Sequence, residues 1–188
     1  KKQVPISQNA AAKALVQKVG QRIAAVAAAD MPNAQWEFVL FESKDANAFC
    51  LPGGKVGVYT GILPVTKDEA GLAAVLGHEI AHALANHTAE RMSTAMAANA
   101  GILAAGILSD NPGQAMAMTA AAATVAIKLP NSRTAENEAD QIGIELAARA
   151  GYDPRAAVTL WQKMGKVGGG SPPEFLSTHP SDATRQQR

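Results

Sequence analysis

The sequence predicts a mostly helical α+β fold, a single domain over residues 1–188 in which a small antiparallel sheet lies beside a helix carrying the functional residues. Three observations lead there. An apolar content of 47% in 188 residues is enough for one well-buried core but not for two independent folds. Helical periodicity fills most of the chain, while strand-like composition is confined to residues 36–60. Finally, residues 75–87 read VLGHEIAHALANH, and within them His78, Glu79 and His82 spell H-E-x-x-H.

Residues 7–29 read as an amphipathic scaffold helix, with Leu15, Val19, Ile23 and Val26 recurring at three and four. Residues 36–42 have the aromatic and β-branched content of a strand. Residues 47–51 and 56–60 read as a hairpin across Pro52-Gly53-Gly54. Asn47, Ala48 and Phe49 are read two ways, as a plain structural edge or as an edge onto which an extended peptide adds as a further strand. Thr66 and Glu69 match a capping box that starts the H-E-x-x-H helix, expected over residues 67–92. Residues 93–128 are rich in Ala, Met and Gly and break at Ser109-Asp110-Asn111-Pro112-Gly113. A packed helical hairpin is favoured there over a mobile lid or a surface that meets a membrane or partner. Ser132 or Thr134 caps an acidic helix that stops at Gly151, and Asp153-Pro154 opens another through Met164. Residues 166–173 read as a linker or loop.

Charge and composition narrow the function. A net charge of +1 and 4% aromatics leave neither a basic patch nor stacking platforms, so nucleic acid is excluded as a partner. Cys50 stands alone, so no internal disulfide or thiolate zinc cluster is available, and any metal rests on His and carboxylate. Residues 1–10 do not read as a signal peptide, and no apolar run is long enough to span a bilayer. A leader removed ahead of Lys1 is compatible with this.

On a helix, positions i and i+4 share one face, so His78 and His82 can reach one ion. Glu79 is rotated by about 100° and is placed to take a proton from a water there. With four histidines in the chain, chance supplies this pattern about 0.004 times. A catalytic zinc needs a third protein ligand. The best supplier is the acidic helix, where Glu136 and Asp140 are i and i+4. One can bind the metal and the other orient a histidine, although acids in a first turn also serve the helix dipole alone.

H-E-x-x-H followed by E-x-x-x-D resembles the gluzincin metallopeptidases. Together with Asn47-Ala48-Phe49, Leu51-Pro52-Gly53-Gly54 and Thr178-His179-Pro180-Ser181 with Arg185, the chain is similar to peptidase family M48 over residues 47–185. The resemblance implies a zincin-like fold and one Zn2+ per chain, held by His78, His82 and Glu136. Glu79 is then the general base and Asp140 the group that orients a ligand histidine. His179 is the late histidine that stabilises the oxyanion, and Arg185 anchors that segment or helps at the oxyanion. Glu138, rotated about 200° from Glu136, is expected to face elsewhere.

The implied activity is endopeptidase cleavage of extended or misfolded protein segments in envelope quality control. The implied setting is the bacterial periplasm or cell envelope, with lipid anchoring through a leader and a peripheral membrane or outer-membrane partner. His179 follows a Gly-rich loop, so a second role is open to it, as a fourth ligand that closes the resting site. Competing readings are a zinc-containing binding or chaperone-like module without turnover and a non-peptide zinc hydrolase.

Overall fold

The computed structural model describes residues 4–128, 133–164 and 174–179. Helix α1, Ala10–Ala27, begins later than expected because Asn9 is the cap, its side chain accepting from the Ala12 amide at 3.0 Å. Ser7 is instead drawn toward the sheet, its amide donating to the Leu40 carbonyl at 2.8 Å. Of the stripe expected on α1, Val19 and Ile23 are buried, while Leu15 and Val26 are only partly so; Val16, which the expected stripe did not include, joins the buried face.

Strands β1 (Glu37–Phe41), β2 (Ala48–Leu51) and β3 (Lys55–Tyr59) form one sheet in the order β1-β3-β2. The hairpin is present, with β2 and β3 antiparallel and Ala48 opposite Val58. Gly53 and Gly54 turn it with φ of +89° and +93°, a region where glycine has no steric penalty. Contrary to the antiparallel sheet expected, β1 pairs with β3 in parallel, Glu37 opposite Lys55. No short turn joins β1 to β3, so nothing local fixes their relative direction. β2 therefore lies at an edge of the sheet.

A 3-10 turn, Thr60–Ile62, and a short helix α2, Leu63–Thr66, precede the central helix α3, Glu69–Leu84. The expected capping box does not form. Thr66 belongs to α2 and donates its hydroxyl to the Leu63 carbonyl, while Asp68 caps α3 by accepting from the Gly71 amide at 2.8 Å. Glu69 pairs with Lys18 of α1 at 2.6 Å instead of reaching back to the cap. Every residue from Gly71 to Ala83 is buried, so α3 is enclosed on all sides by its neighbours rather than amphipathic.

The helix expected over residues 67–92 is two helices. Asn86, in the left-handed region at φ +60°, separates α3 from α4, His87–Leu108. After the break at residues 109–111 comes α5, Pro112–Lys128, and the two form the favoured hairpin. Helix α6, Arg133–Arg149, encloses Thr134; the alternative cap Ser132 lies outside the described residues. Its end is a Schellman turn: Gly151 at φ +84°, the Tyr152 amide donating to the Ala147 carbonyl and the Gly151 amide to that of Ala148. Helices α7 (Ala156–Met164) and α8 (Glu174–Thr178) complete the described chain. The linker expected at 166–173 and the tail beyond His179, Arg185 included, lie outside the described residues.

Helices α3 and α6 cross at glycines. A Cβ on Gly77 would sit 2.6 Å from the Gly143 carbonyl oxygen, and one on Gly143 would sit 2.7 Å from the His78 amide nitrogen. This explains the glycine inside α3, because each of the two lets the other backbone approach to contact. Among the described residues, no helix is long and apolar enough to cross a membrane.

Candidate metal centre

The close crossing sets Glu136, near the start of α6, against the two histidines on α3. His78 and His82 are 1% and 3% exposed, and Glu136 is 1% exposed. Their ring Nε2 atoms are 3.1 Å apart. Glu136 Oε1 lies 3.2 Å from His82 Nε2, and its Oε2 lies 3.4 Å from His78 Nε2. The structure also brings in His179, just beyond α8, whose Nδ1 is 3.3 Å from His78 Nε2 and 3.0 Å from Glu136 Oε1. Phe175, one turn earlier, stacks on the His179 ring at 4.5 Å and on Trp161 at 5.7 Å, which seats that segment.

These four residues form a group able to hold a metal ion. Zinc ligands at about 2.0–2.1 Å in a tetrahedron are separated from one another by roughly 3.3 Å. The five separations of 3.0 to 3.4 Å, taken to one or the other oxygen of Glu136, match that spacing, and one ligand atom from each of the four residues lies within 4.8 Å of the others. Three imidazoles and one carboxylate are also the donor chemistry that zinc takes. The residues present therefore fit the ion.

Beyond the donor set, His78 Nδ1 lies 2.9 Å from Asp140 Oδ1, a contact that an orienting role for that aspartate requires. Glu79 is buried and points to the other side of His179, with Oε1 3.4 Å from its Nε2. Sequence reasoning missed His87. Its Nδ1 lies 3.0 Å from His82 Nδ1, and its Nε2 lies 3.3 Å from Glu138 Oε2. All four histidines of the chain thus gather in one cluster. The signal was present in the five-residue spacing from His82, but expecting one unbroken helix there put His87 on a different face.

The electrostatics follow from crowding these groups away from water. Burial works against a charge on His78, yet bonds to Asp140 and Glu136, aided by the charge of Glu79, carry its pKa up to about 9. Burial pushes His179 down to about 4 and also lowers His82. Burial opposes the Glu136 carboxylate, but bonds from His179, His78 and His82 outweigh it and hold the group ionised, far below the usual carboxylate range.

A cleft of about 350 Å³ opens onto this cluster between β2 and α4. It is lined on one side by Asn47, Ala48 and Phe49 and on the other by Arg91 and Met92, with Glu79 and His179 among its walls. Asn47 is fixed by the sheet, its carbonyl accepting from the Tyr59 amide at 3.0 Å. The ring of Phe49 packs at 6.3 Å from both Phe41 and Tyr59. Cys50 is buried and its thiol is pushed up to about 12 by burial and by the charge of Glu79. The α4 wall was not foreseen, because it depends on the turn at Asn86.

Comparison with known proteins agrees with this geometry. The model of "Peptidase family M48" matches residues 10–188. The mitochondrial metalloendopeptidase OMA1 of Schizosaccharomyces pombe is 42% identical over 172 residues, covering 90% of this chain and 50% of that protein. Human mitochondrial metalloendopeptidase OMA1 is 38% identical over 163 residues, 80% of this chain and 31% of the relative. The beta-barrel assembly-enhancing protease of Escherichia coli is 31% identical over 180 residues, 90% of this chain and 36% of the relative. The chain thus spans half or less of the length of these relatives. With a matching family model over nearly its whole length and a donor set suited to zinc, the chain belongs to peptidase family M48, whose members are zinc metallopeptidases.

Proposed function

We propose that this chain is the catalytic domain of a zinc metalloendopeptidase acting on extended or misfolded protein segments in a cell envelope. The observation that carries this reading is the convergence of His78, His82 and Glu136, with Glu79 beside them, at a cleft bordered by the edge strand β2. Zinc held there supplies a Lewis acid that acidifies water and polarises a carbonyl. Glu79 takes the proton of the attacking water and passes it to the leaving amine. Asn47, Ala48 and Phe49 align an extended substrate by strand addition, which suits unfolded segments because it reads backbone rather than sequence. Asp140 holds the His78 ring through Nδ1 and leaves Nε2 to the ion. The names of the relatives, mitochondrial metalloendopeptidases and a beta-barrel assembly-enhancing protease, support proteolysis, and the second of them supports an envelope setting.

His179 takes two roles within the proposal. Its Nδ1 sits with the other three donors, so as placed it would serve as a fourth ligand to a zinc ion held there. Substrate entry moves it aside, and it then donates to the oxyanion.

The test uses purified zinc-loaded protein and casein. Glu79→Gln keeps its zinc and loses at least about 100-fold in hydrolysis. His179→Ala raises basal cleavage if closure dominates and lowers it if oxyanion stabilisation does. Full turnover by Glu79→Gln, or casein hydrolysis by wild type that survives complete zinc removal, overturns the proposal.

A further inference from the structure

We infer that His87 and Glu138 are positioning residues for the zinc ligand His82, forming a relay parallel to the one that Asp140 provides for His78. The inference rests on zinc as the occupant proposed above, but concerns residues outside the donor set.

The geometry separates His87 from the ligands. Its Nδ1 lies 3.0 Å from Nδ1 of His82, on the far side of that ring from the Nε2 that faces His78 at 3.1 Å. His87 therefore cannot share the ion with His82 Nε2, despite its nearness in sequence. A metal on Nε2 leaves His82 with its proton on Nδ1, and a buried N-H requires an acceptor. The group in reach is His87 Nδ1, which accepts when the His87 proton is on Nε2. That Nε2 lies 3.3 Å from Glu138 Oε2, and the carboxylate fixes the tautomer by accepting from it. The sequence of bonds is His82 Nδ1-H to His87 Nδ1, then His87 Nε2-H to Glu138.

Two features of the fold make this relay possible. Asn86, at φ +60°, stops α3 and starts α4 at His87, turning that ring back toward His82. An uninterrupted helix would put residues 82 and 87 about 140° apart and prevent the contact. Helix α6 then supplies three carboxylates to three tasks: Glu136 in the donor set, Asp140 on His78, and Glu138 on His87. Glu138 faces away from the ion, as its rotation from Glu136 requires. Its side chain is 53% exposed and that of His87 is 11% exposed, so the relay runs from the buried centre to the surface.

The test measures the zinc dissociation constant of the full chain by competition with a chromophoric chelator, beside the melting temperature of the metal-free protein. His87→Leu fills the space without a hydrogen bond and is expected to weaken zinc binding by about 10–100-fold. His87→Asn places an amide oxygen where Nδ1 stood and is expected to recover most of that loss. Glu138→Ala is expected to weaken binding less, by a few-fold, because water replaces an exposed carboxylate. The metal-free melting temperatures should agree among the variants, and the absorption bands of cobalt-loaded His87→Leu should move while those of His87→Asn return toward wild type.

Zinc binding by His87→Leu as tight as wild type, or equal losses in the Leu and Asn variants, overturns the inference. Failure of wild type to bind zinc overturns the zinc reading itself, so the two failures are distinguishable. Should His87→Leu not fold, the comparison of His87→Asn with Glu138→Ala decides: loss in the glutamate variant with retention in the asparagine variant supports the relay, and no loss in either overturns it.

Discussion

Helices α3 and α4 are neighbours in sequence and similar in composition, both dominated by Ala, Gly and aliphatic residues, yet their surroundings are opposite. From Gly71 to Ala83, α3 is buried without interruption. Among the described side chains of the α4–α5 hairpin none is buried, and Met96, Leu103, Ile107, Leu108 and Met118 are 60% exposed or more. The difference lies in the partners. Helix α3 packs against α1, α6, α7 and β2, whereas α4 packs mainly against α5. Small side chains bring backbones together, but what that achieves depends on whether a second layer covers the pair. At α3 and α6 it brings together a group able to hold a metal ion; in the hairpin it leaves an apolar surface.

The glycines give the strongest way to break that contrast. A Cβ placed on Gly77 or Gly143 would meet backbone of the other helix at 2.6 or 2.7 Å, an overlap that cannot be relieved without parting the helices. Gly143→Val is expected to destabilise the domain by about 1–3 kcal/mol, and to weaken zinc binding more than tenfold because Glu136 is carried away from His78 and His82. Urea unfolding and zinc titration measure the two effects. A variant with wild-type zinc affinity would show that the crossing does not set the ligand geometry.

A smaller effect, specific to the buried region, is its response to pH. The His78 pKa of about 9 means that the ring carries a proton at pH 7.5 in the absence of metal. His179 at about 4 and the lowered His82 carry none there. Zinc takes a ring nitrogen only as the free base, so its uptake at pH 7.5 should release about one proton, and affinity should rise with pH until His78 deprotonates. Calorimetry in buffers of different ionisation enthalpy measures the number. Release of no proton would mean that Asp140 and Glu136 do not raise His78 as described.

The smallest effect belongs to the hairpin. A Cβ on Gly101 would meet nothing within 4 Å. Gly101→Ala is thus expected to stabilise α4 by about 0.5–1 kcal/mol, read as slower amide exchange in the hairpin, with zinc affinity unchanged. A loss of stability would mean that α4 is covered by something that the spacing around Gly101 does not reveal.

How much could be read in advance differs between the elements. Val19 and Ile23 of the stripe on α1, the β2–β3 hairpin, the break at residues 109–111 and the stop at Gly151 depend on local periodicity and turn chemistry, and each is legible. The direction of β1 was not, since no tight turn ties it to β3. The spacing points to Thr66 rather than Asp68 as the cap of α3, because a short helix ahead of Asp68 leaves no mark in it. At the centre, His78 and His82 were found because one turn of helix is enough to pair them. Their pairing with Glu136 relied on a pattern of E-x-x-x-D rather than on any rule of local structure.

Local order along the chain was therefore enough to fix the two-histidine face and the chemistry open to it. Which groups close around that face came from long-range packing. Gly77 against Gly143 sets the approach of Glu136, and Phe175 beside Trp161 seats His179, whereas His87 reaches His82 through the local turn at Asn86. The reason is one of distance along the chain. Periodicity constrains neighbours a few residues apart, whereas contacts between residues 43 to 101 positions apart depend on which buried surfaces fit together once the core has formed.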